Sequence, residues 1–225
     1  PLWSRLLEID MTPHSGSLLR RAWPDLVTAA LLALLILGPL LWDRGFILVA
    51  DMVFVPDQPW KDAWTGGDGG VPRAVPSDAW VALLDSAIPG ALLQRLVMVG
   101  IVCGASLGMA LLVADHPPLA RVAASLLYVW NPFVFERLAI GHWALLCGYA
   151  ALPWVAWAVV RLRADDSARN LGRAWSVLVV SLALAGWASP TGGVLTVVTA
   201  LVLLAPRWHL SLRVLGLGLF VNLPW

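Results

Sequence analysis

Charge is what this sequence has least of. Asp, Glu, Lys and Arg make up 13% of 225 residues and hydrophobic residues 60%, whereas a soluble domain carries about 25% charge. That scarcity excludes an ordinary soluble fold. Lys61 is the only lysine, and a formal net charge of +1 with the arginines scattered at segment ends leaves no concentrated basic stripe. A nucleic-acid partner is excluded on that ground. The two cysteines, Cys103 and Cys147, fall inside apolar runs, where a thiol packs as a small hydrophobe. They say nothing about compartment. There is no phosphate-cradling glycine loop, nucleophile elbow, dinucleotide fingerprint, or Cys or His metal spacing, and Gly66–Gly70 follows no strand and opens no helix.

What is there is a series of apolar runs, with a mean hydropathy of +0.79. Residues 1–24 form a mixed polar N-terminal segment, and residues 25–225 form the membrane module. Asp25–Trp42 is long enough to cross a bilayer at about 1.5 Å per residue and reads as an uncleaved anchor, its core being longer than that of a signal peptide. Further spans are expected at 92–114, 119–130, 143–162, 174–188 and 194–205, and a seventh starts near Val214. That run is still apolar at Trp225, which predicts a chain continuing beyond it. The fold expected is therefore all-α, a polytopic bundle of about seven transmembrane spans.

The third span is short, about 18 Å for its twelve residues, so a broken and submerged helix end is expected at Asn131-Pro132-Phe133. A second break is expected at Ser189-Pro190-Thr191-Gly192-Gly193. Between the first two spans lies a polar loop, residues 43–91. Within it, Ser77–Asp85 has a capping residue, an acid in the first turn, and Trp80, Leu83, Leu84 and Ala87 on one face. That pattern predicts a short helix lying at the membrane interface. Arg and Lys number ten in one set of alternate loops and five in the other. The richer set is predicted to be cytoplasmic, with the N-terminus, which places loop 43–91 and the turn around Glu136-Arg137 together on the external face of the cell membrane.

Polar chemistry is then confined to two places. Asp51 stands in an apolar setting between Phe46–Ala50 and Met52–Pro56, and desolvation there would make its carboxylate a better general base; the plain alternative is an interfacial run with Asp51 turned to water. Asp57 could join it around a divalent cation or orient an acceptor hydroxyl, although the spacing is no metal signature. In the second place, Glu136-Arg137 is either a helix-capping ion pair or, through the planar fork of Arg137, a partner for a lipid phosphate. His142 falls about 140° round a helix from Arg137, so the two converge only if the backbone bends at Gly141. Arg95 reads as a snorkelling anchor near the outer end of the second span, and Asn131 as the residue that satisfies backbone at the broken helix end. The fourteen tryptophans read mostly as interfacial belt residues.

An anchor span followed at once by an external loop with an early aspartate (Val49-Ala50-Asp51-Met52-Val53-Phe54-Val55-Pro56-Asp57), an interfacial helix in that loop, and a Glu-Arg pair at an outer mouth resembles the N-terminal module of GT-C glycosyltransferases. The nearest resemblance is to the polyprenyl-phosphate-sugar-dependent arabinofuranosyl- and mannosyltransferases of actinobacterial envelope synthesis. Asn131–Trp143 also resembles a segment of multi-span proteins of that group. The resemblance covers about residues 20–225 and implies inverting transfer of a sugar from a polyprenyl-phosphate donor to an envelope glycan or glycolipid hydroxyl. By position it implies Asp51 as catalytic base, Arg137 against the departing phosphate, and His142 and Arg95 in support, with Asp57, Glu136 and Asn131 around them. The chain departs from the family in lacking later spans, a C-terminal domain and a tight Asp-x-Asp. Membrane lipids are the other expected partners. The alternatives are a secondary transporter, suggested by the two helix breaks but carrying no Asp, Glu, Lys or Arg in its span interiors for ion coupling, and a non-catalytic membrane scaffold.

Overall fold

The computed structural model describes residues 18–42, 45–48, 50–52, 59–64, 67–69, 76–164, 167–205 and 207–224. These residues form nine α-helices: α1 Leu18–Trp42, α2 Ser77–Asp85, α3 Gly90–Leu112, α4 Pro118–Val129, α5 Pro132–Ala139, α6 Trp143–Ala164, α7 Ala168–Ala188, α8 Pro190–Leu204 and α9 Trp208–Asn222. A single 3₁₀ turn at Asp62–Trp64 joins them, and no β-strand occurs among the described residues. The chain is an all-α membrane bundle. Four helices, α1, α3, α6 and α7, are long and apolar enough to cross a membrane, and α4 and α8 are apolar but shorter. Large apolar side chains such as Leu35, Leu127, Val202 and Phe220 are exposed around the bundle, as expected of a surface solvated by lipid rather than water.

Helix α6 is the spine. Half of its apolar window is buried, against 28% for α1, and its two ends enter different cores. Leu146 and Ala150 pack with α1, α3 and Met52 in one cluster; Val155, Ala158, Val159 and Leu162 pack with α7, α8 and α9 in the other. A helix apolar on every side belongs at the centre of such an assembly. Because lipid chains are as apolar as leucine, helices in a bilayer associate through close packing, which small residues permit. Gly148 of α6 and Gly192 of α8 are such a contact: a Cβ on Gly148 would lie 2.6 Å from the Gly192 Cα. At the far end from the polar loop, α1 and α4 are joined by a mostly buried ion pair, Arg121 Nε to Asp25 Oδ1 at 3.1 Å.

Helix boundaries follow local chemistry. α4 ends at Val129 and α5 starts at Pro132, so the break expected at Asn131-Pro132 is present. Helix α2 occupies Ser77–Asp85 as expected, with Pro76 rather than Ser77 at its N-cap and no side-chain cap bond. Burial pushes the Asp78 carboxyl of α2 above its ordinary range, against the opposing pull of Lys61 and a hydrogen bond from Ser77. The Ser189–Gly193 stretch differs from expectation. It is no open turn: Ser189 alone separates α7 from α8, its hydroxyl accepts from the Gly192 N–H at 3.4 Å, and Pro190 is the first residue of α8. Proline is tolerated there because a first-turn N–H has no intrahelical partner. Likewise α7 begins at Ala168, earlier than the apolar run from Ala174, because polar residues extend it past the apolar window.

The Gly148–Gly192 contact predicts that Gly148→Val, which forces α6 and α8 apart, destabilises the bundle by about 1–3 kcal/mol. Thermal unfolding in detergent checks this, with Gly100→Ala, where a Cβ meets nothing within 4 Å, as the neutral control.

Candidate functional site

The site is assembled from two irregular segments at one end of the bundle. The first is the turn between α5 and α6. The N–H of His142 bonds to the Arg137 carbonyl at 2.8 Å and that of Gly141 to the Leu138 carbonyl at 3.1 Å, while Gly141 has φ +80°. This is a Schellman ending, in which a glycine in the left-handed conformation satisfies the last carbonyls of a helix and reverses the chain. It also sets the residue after the glycine against the residue five positions earlier. So His142 meets Arg137, Nδ1 to Nη1 at 3.1 Å; the bend at Gly141 supplies the convergence that an unbroken helix would deny. The His142 carbonyl then accepts the Leu146 N–H and opens α6.

The second segment follows α1. Asp51 lies between Ala50, whose φ of +45° is unusual for a residue with a Cβ, and Met52, which is buried in the core. The Asp51 N–H bonds to the Ile140 carbonyl at 3.1 Å, docking this segment onto the α5–α6 turn. Its carboxylate Oδ2 lies 2.9 Å from His142 Nε2. Two side chains hold the segment from the other side. Gln94 of α3 accepts from the Ile47 N–H and donates to the Ile47 carbonyl, both at 2.8 Å. Arg95 donates to the Gly45 carbonyl at 2.9 Å and to the Ala91 carbonyl at 2.8 Å.

Asp51, His142, Arg137 and Glu136 therefore form one polar chain. A guanidinium only donates and a carboxylate only accepts. His142 satisfies both neighbours with its single proton on Nε2, donated to Asp51, and with Nδ1 accepting from Arg137. A proton on Nδ1 would point at the guanidinium. Exposure grades along the chain: the Asp51 side chain is 73% exposed, His142 33% and Arg137 25%. Arg137 also pairs with the outward-lying Glu136 at 3.4 Å and lies over the Phe133 ring, 5.5 Å from its centroid.

A second layer fixes the turn's other end. Asn131 is the N-cap of α5: its carbonyl oxygen accepts from the Val134 N–H at 3.0 Å, and its amide donates to the Tyr128 carbonyl at 2.7 Å. Tyr128 and Tyr149, the only tyrosines in the chain, stack at 4.4 Å, and each hydroxyl donates to the other's backbone carbonyl, at 2.8 and 2.9 Å. Neither this pair nor Gln94 was evident from sequence. A lone amide inside an apolar span was the only available sign of Gln94.

Each expected site residue can now be placed. Asp51, Arg137, His142 and Glu136 come together, and Asn131 braces them. Arg95 is engaged with backbone carbonyls next to the Asp51 segment, and both His142 nitrogens are occupied. Asp57 lies outside the described residues. Among the described residues no group of three His, Cys, Asp or Glu side chains forms a metal site. Beginning at Trp143, next to His142, an apolar cavity of about 900 Å³ runs between α2, α3, α6 and α7, past Cys147, Gly104 and Trp154. The stacked rings of Trp80 and Trp187, 5.5 Å apart, connect α2 to α7 at this cavity. Its volume is at the upper end of the 300–1,000 Å³ usual for small-molecule sites.

Fold and site together define a helical membrane protein with an Asp–His–Arg chain at one end of its bundle. No protein-family model, curated protein or solved structure matches the sequence.

The proton placement is directly measurable. In protein labelled with ¹⁵N-histidine, His142 is expected to show a protonated Nε2 and an unprotonated Nδ1 at neutral pH. Arg137→Met is expected to shift the Nδ1 signal, which loses its donor, while Nε2 stays protonated against Asp51; an unchanged Nδ1 signal in that variant would rule out the Arg137 contact.

Proposed function

We propose that this chain carries the reaction centre of a membrane glycosyltransferase, moving a sugar from a polyprenyl-phosphate donor to an envelope glycan or glycolipid hydroxyl. The reaction would take place on the external face of the cell membrane, with the N-terminus cytoplasmic, the orientation favoured by the arginine bias. The observation that carries this reading is the hydrogen-bonded chain Asp51–His142–Arg137, which puts an accessible carboxylate and a sheltered cation in one cluster. The apolar cavity beginning at Trp143 supports a donor with a hydrocarbon tail.

The chemistry assigns one role to each end of the chain. The acceptor hydroxyl oxygen attacks the anomeric carbon from the side opposite the phosphate and loses its proton to the Asp51 carboxylate. The bond from that carbon to the phosphate oxygen breaks, and its electron pair leaves with the lipid phosphate. Arg137 stabilises the charge that develops there. His142 donates to Asp51, keeps its carboxylate oriented, and spaces it from Arg137. Charge accounting adds a condition: Asp51 and Glu136 are two negative charges against one guanidinium. A donor phosphate must therefore displace Glu136, whose side chain is 62% exposed and free to swing aside.

A transporter reading has less support. Only Ser189 separates α7 from α8, so the second break offers no unwound segment to line a carrier site, and the polar cluster is at the bundle end.

In the full-length protein, Asp51→Asn is expected to lower sugar transfer from a polyprenyl-phosphate donor by about 10²–10⁴-fold, the usual contribution of a general base. Transfer at the wild-type rate would remove Asp51 from the mechanism. Glu136→Gln, which leaves Arg137 without its competing carboxylate, is expected to lower the donor KM while changing kcat little. A raised KM would mean instead that Glu136 holds Arg137 in its working position.

A further inference from the structure

We propose that Gln94 is a positioning residue for Asp51, acting through the backbone of Ile47 to keep Ala50 and Asp51 where the carboxylate meets His142. The inference rests on the reading of Asp51 as base only for its catalytic consequence; the positional claim stands on geometry alone.

Gln94 lies in the second turn of α3, fully buried at 0% exposure beside Leu93 and Met98. Its amide makes both hydrogen bonds that an adjoining β-strand would offer Ile47, accepting from the N–H and donating to the carbonyl at 2.8 Å each. Primary amides are suited to this double task, having an acceptor and a donor on one planar group. Leucine could do neither. Glutamate could accept from the N–H but would set its second oxygen against the carbonyl.

The segment is gripped on both sides of a conformationally costly residue. Upstream is the Gln94 clamp on Ile47; downstream are the Asp51 N–H bond to the Ile140 carbonyl and the buried Met52. Between them Ala50 is in the left-handed region at φ +45°, a conformation that persists in a non-glycine residue only where its surroundings over-determine it. Loosening the upstream grip lets Ala50 relax toward negative φ. That rotation turns the next residue, and the next residue is Asp51. An amide that merely satisfied buried backbone would lower stability on removal and leave the Asp51–His142 contact alone.

The experiment uses the full chain in lipid nanodiscs with two readouts: the ¹⁵N ring signals of His142, and sugar transfer from a polyprenyl-phosphate donor. Gln94→Leu is expected to move the His142 Nε2 signal toward that of Asp51→Ala. It is also expected to lower kcat by about 10²-fold, the scale on which a displacement of about 1 Å acts, with little change in donor KM. In an Asp51→Asn background it should lower kcat no further. Gln94→Glu, which keeps one of the two bonds, should fall between, and it carries the test if Gln94→Leu does not fold. A folded Gln94→Leu with the wild-type His142 signal overturns the proposal, as does an equal loss of kcat in the Asp51→Asn background. If the signal moves as expected but the wild-type protein transfers no sugar, the positional claim holds and the glycosyltransferase reading falls.

Discussion

Backbone that leaves a helix inside a packed bundle must find other hydrogen-bond partners, and that constraint organises this molecule. Two stretches break the helical pattern at one end of the bundle: 45–48 with 50–52 after α1, and Trp130–His142 around α5. They satisfy each other, through the Asp51 N–H and the Ile140 carbonyl, and are satisfied by side chains from the helices beside them. Gln94 serves Ile47, Arg95 serves Gly45, and Asn131 serves both the end of α4 and the start of α5. The polar cluster is a by-product of this accounting. Once the backbone of Asp51 docks on the C-cap carbonyl of α5, its side chain can reach the imidazole two residues beyond that carbonyl.

The Schellman turn supplies the other half of the geometry. It commonly brings an apolar residue after the glycine onto the last helical turn; here the residues in those places are His142 and Arg137, so a packing contact becomes a directed hydrogen bond. Arg137 fixes which imidazole nitrogen is bare, and the carboxylate accepts the hydrogen bond from the N–H on the other. Neither nitrogen remains for an incoming anion, which makes His142 a spacer between acid and cation rather than a ligand. Its position at the mouth of α6 ties that spacing to the helix that enters both hydrophobic cores.

Much of this was legible in sequence where one residue type has one structural use. Asn131 was expected to satisfy backbone at a broken helix end, and it does so as the N-cap of α5, whose first residue is Pro132. Gly141 was the only residue that could reconcile Arg137 with His142, and its φ is positive. Where a residue type has several uses, the reading stopped short. Ser189-Pro190-Thr191-Gly192-Gly193 has the composition of a loop, but proline also starts helices and glycine also lets helices touch, which is how Pro190 and Gly192 are used. Gln94 and the Tyr128–Tyr149 pair were illegible because their partners are backbone groups 47 and 21 residues away, and no local pattern encodes a contact at that distance. The boundary of α7 at Ala168 was missed because hydropathy locates the part of a helix in lipid, not where it ends.

The gradient of exposure along the chain bears on what such a cluster can do. The Asp51 carboxylate is open to water despite its apolar flanks, so those flanks are not what would make it effective. Orientation is. A hydroxyl proton is transferred along the line of a hydrogen bond, and an exposed aspartate ordinarily samples several rotamers, which dilutes the productive one. The backbone tie to Ile140 and the side-chain bond to His142 remove that freedom from one carboxylate oxygen and leave the other to face an incoming group. Arg137, by contrast, is sheltered between Phe133 and His142, and a cation in a low-dielectric setting acts on a nearby anion more strongly than one in water. Under the proposed glycosyltransferase reading, the acceptor hydroxyl and the donor phosphate would each meet the group suited to it, at opposite ends of one imidazole.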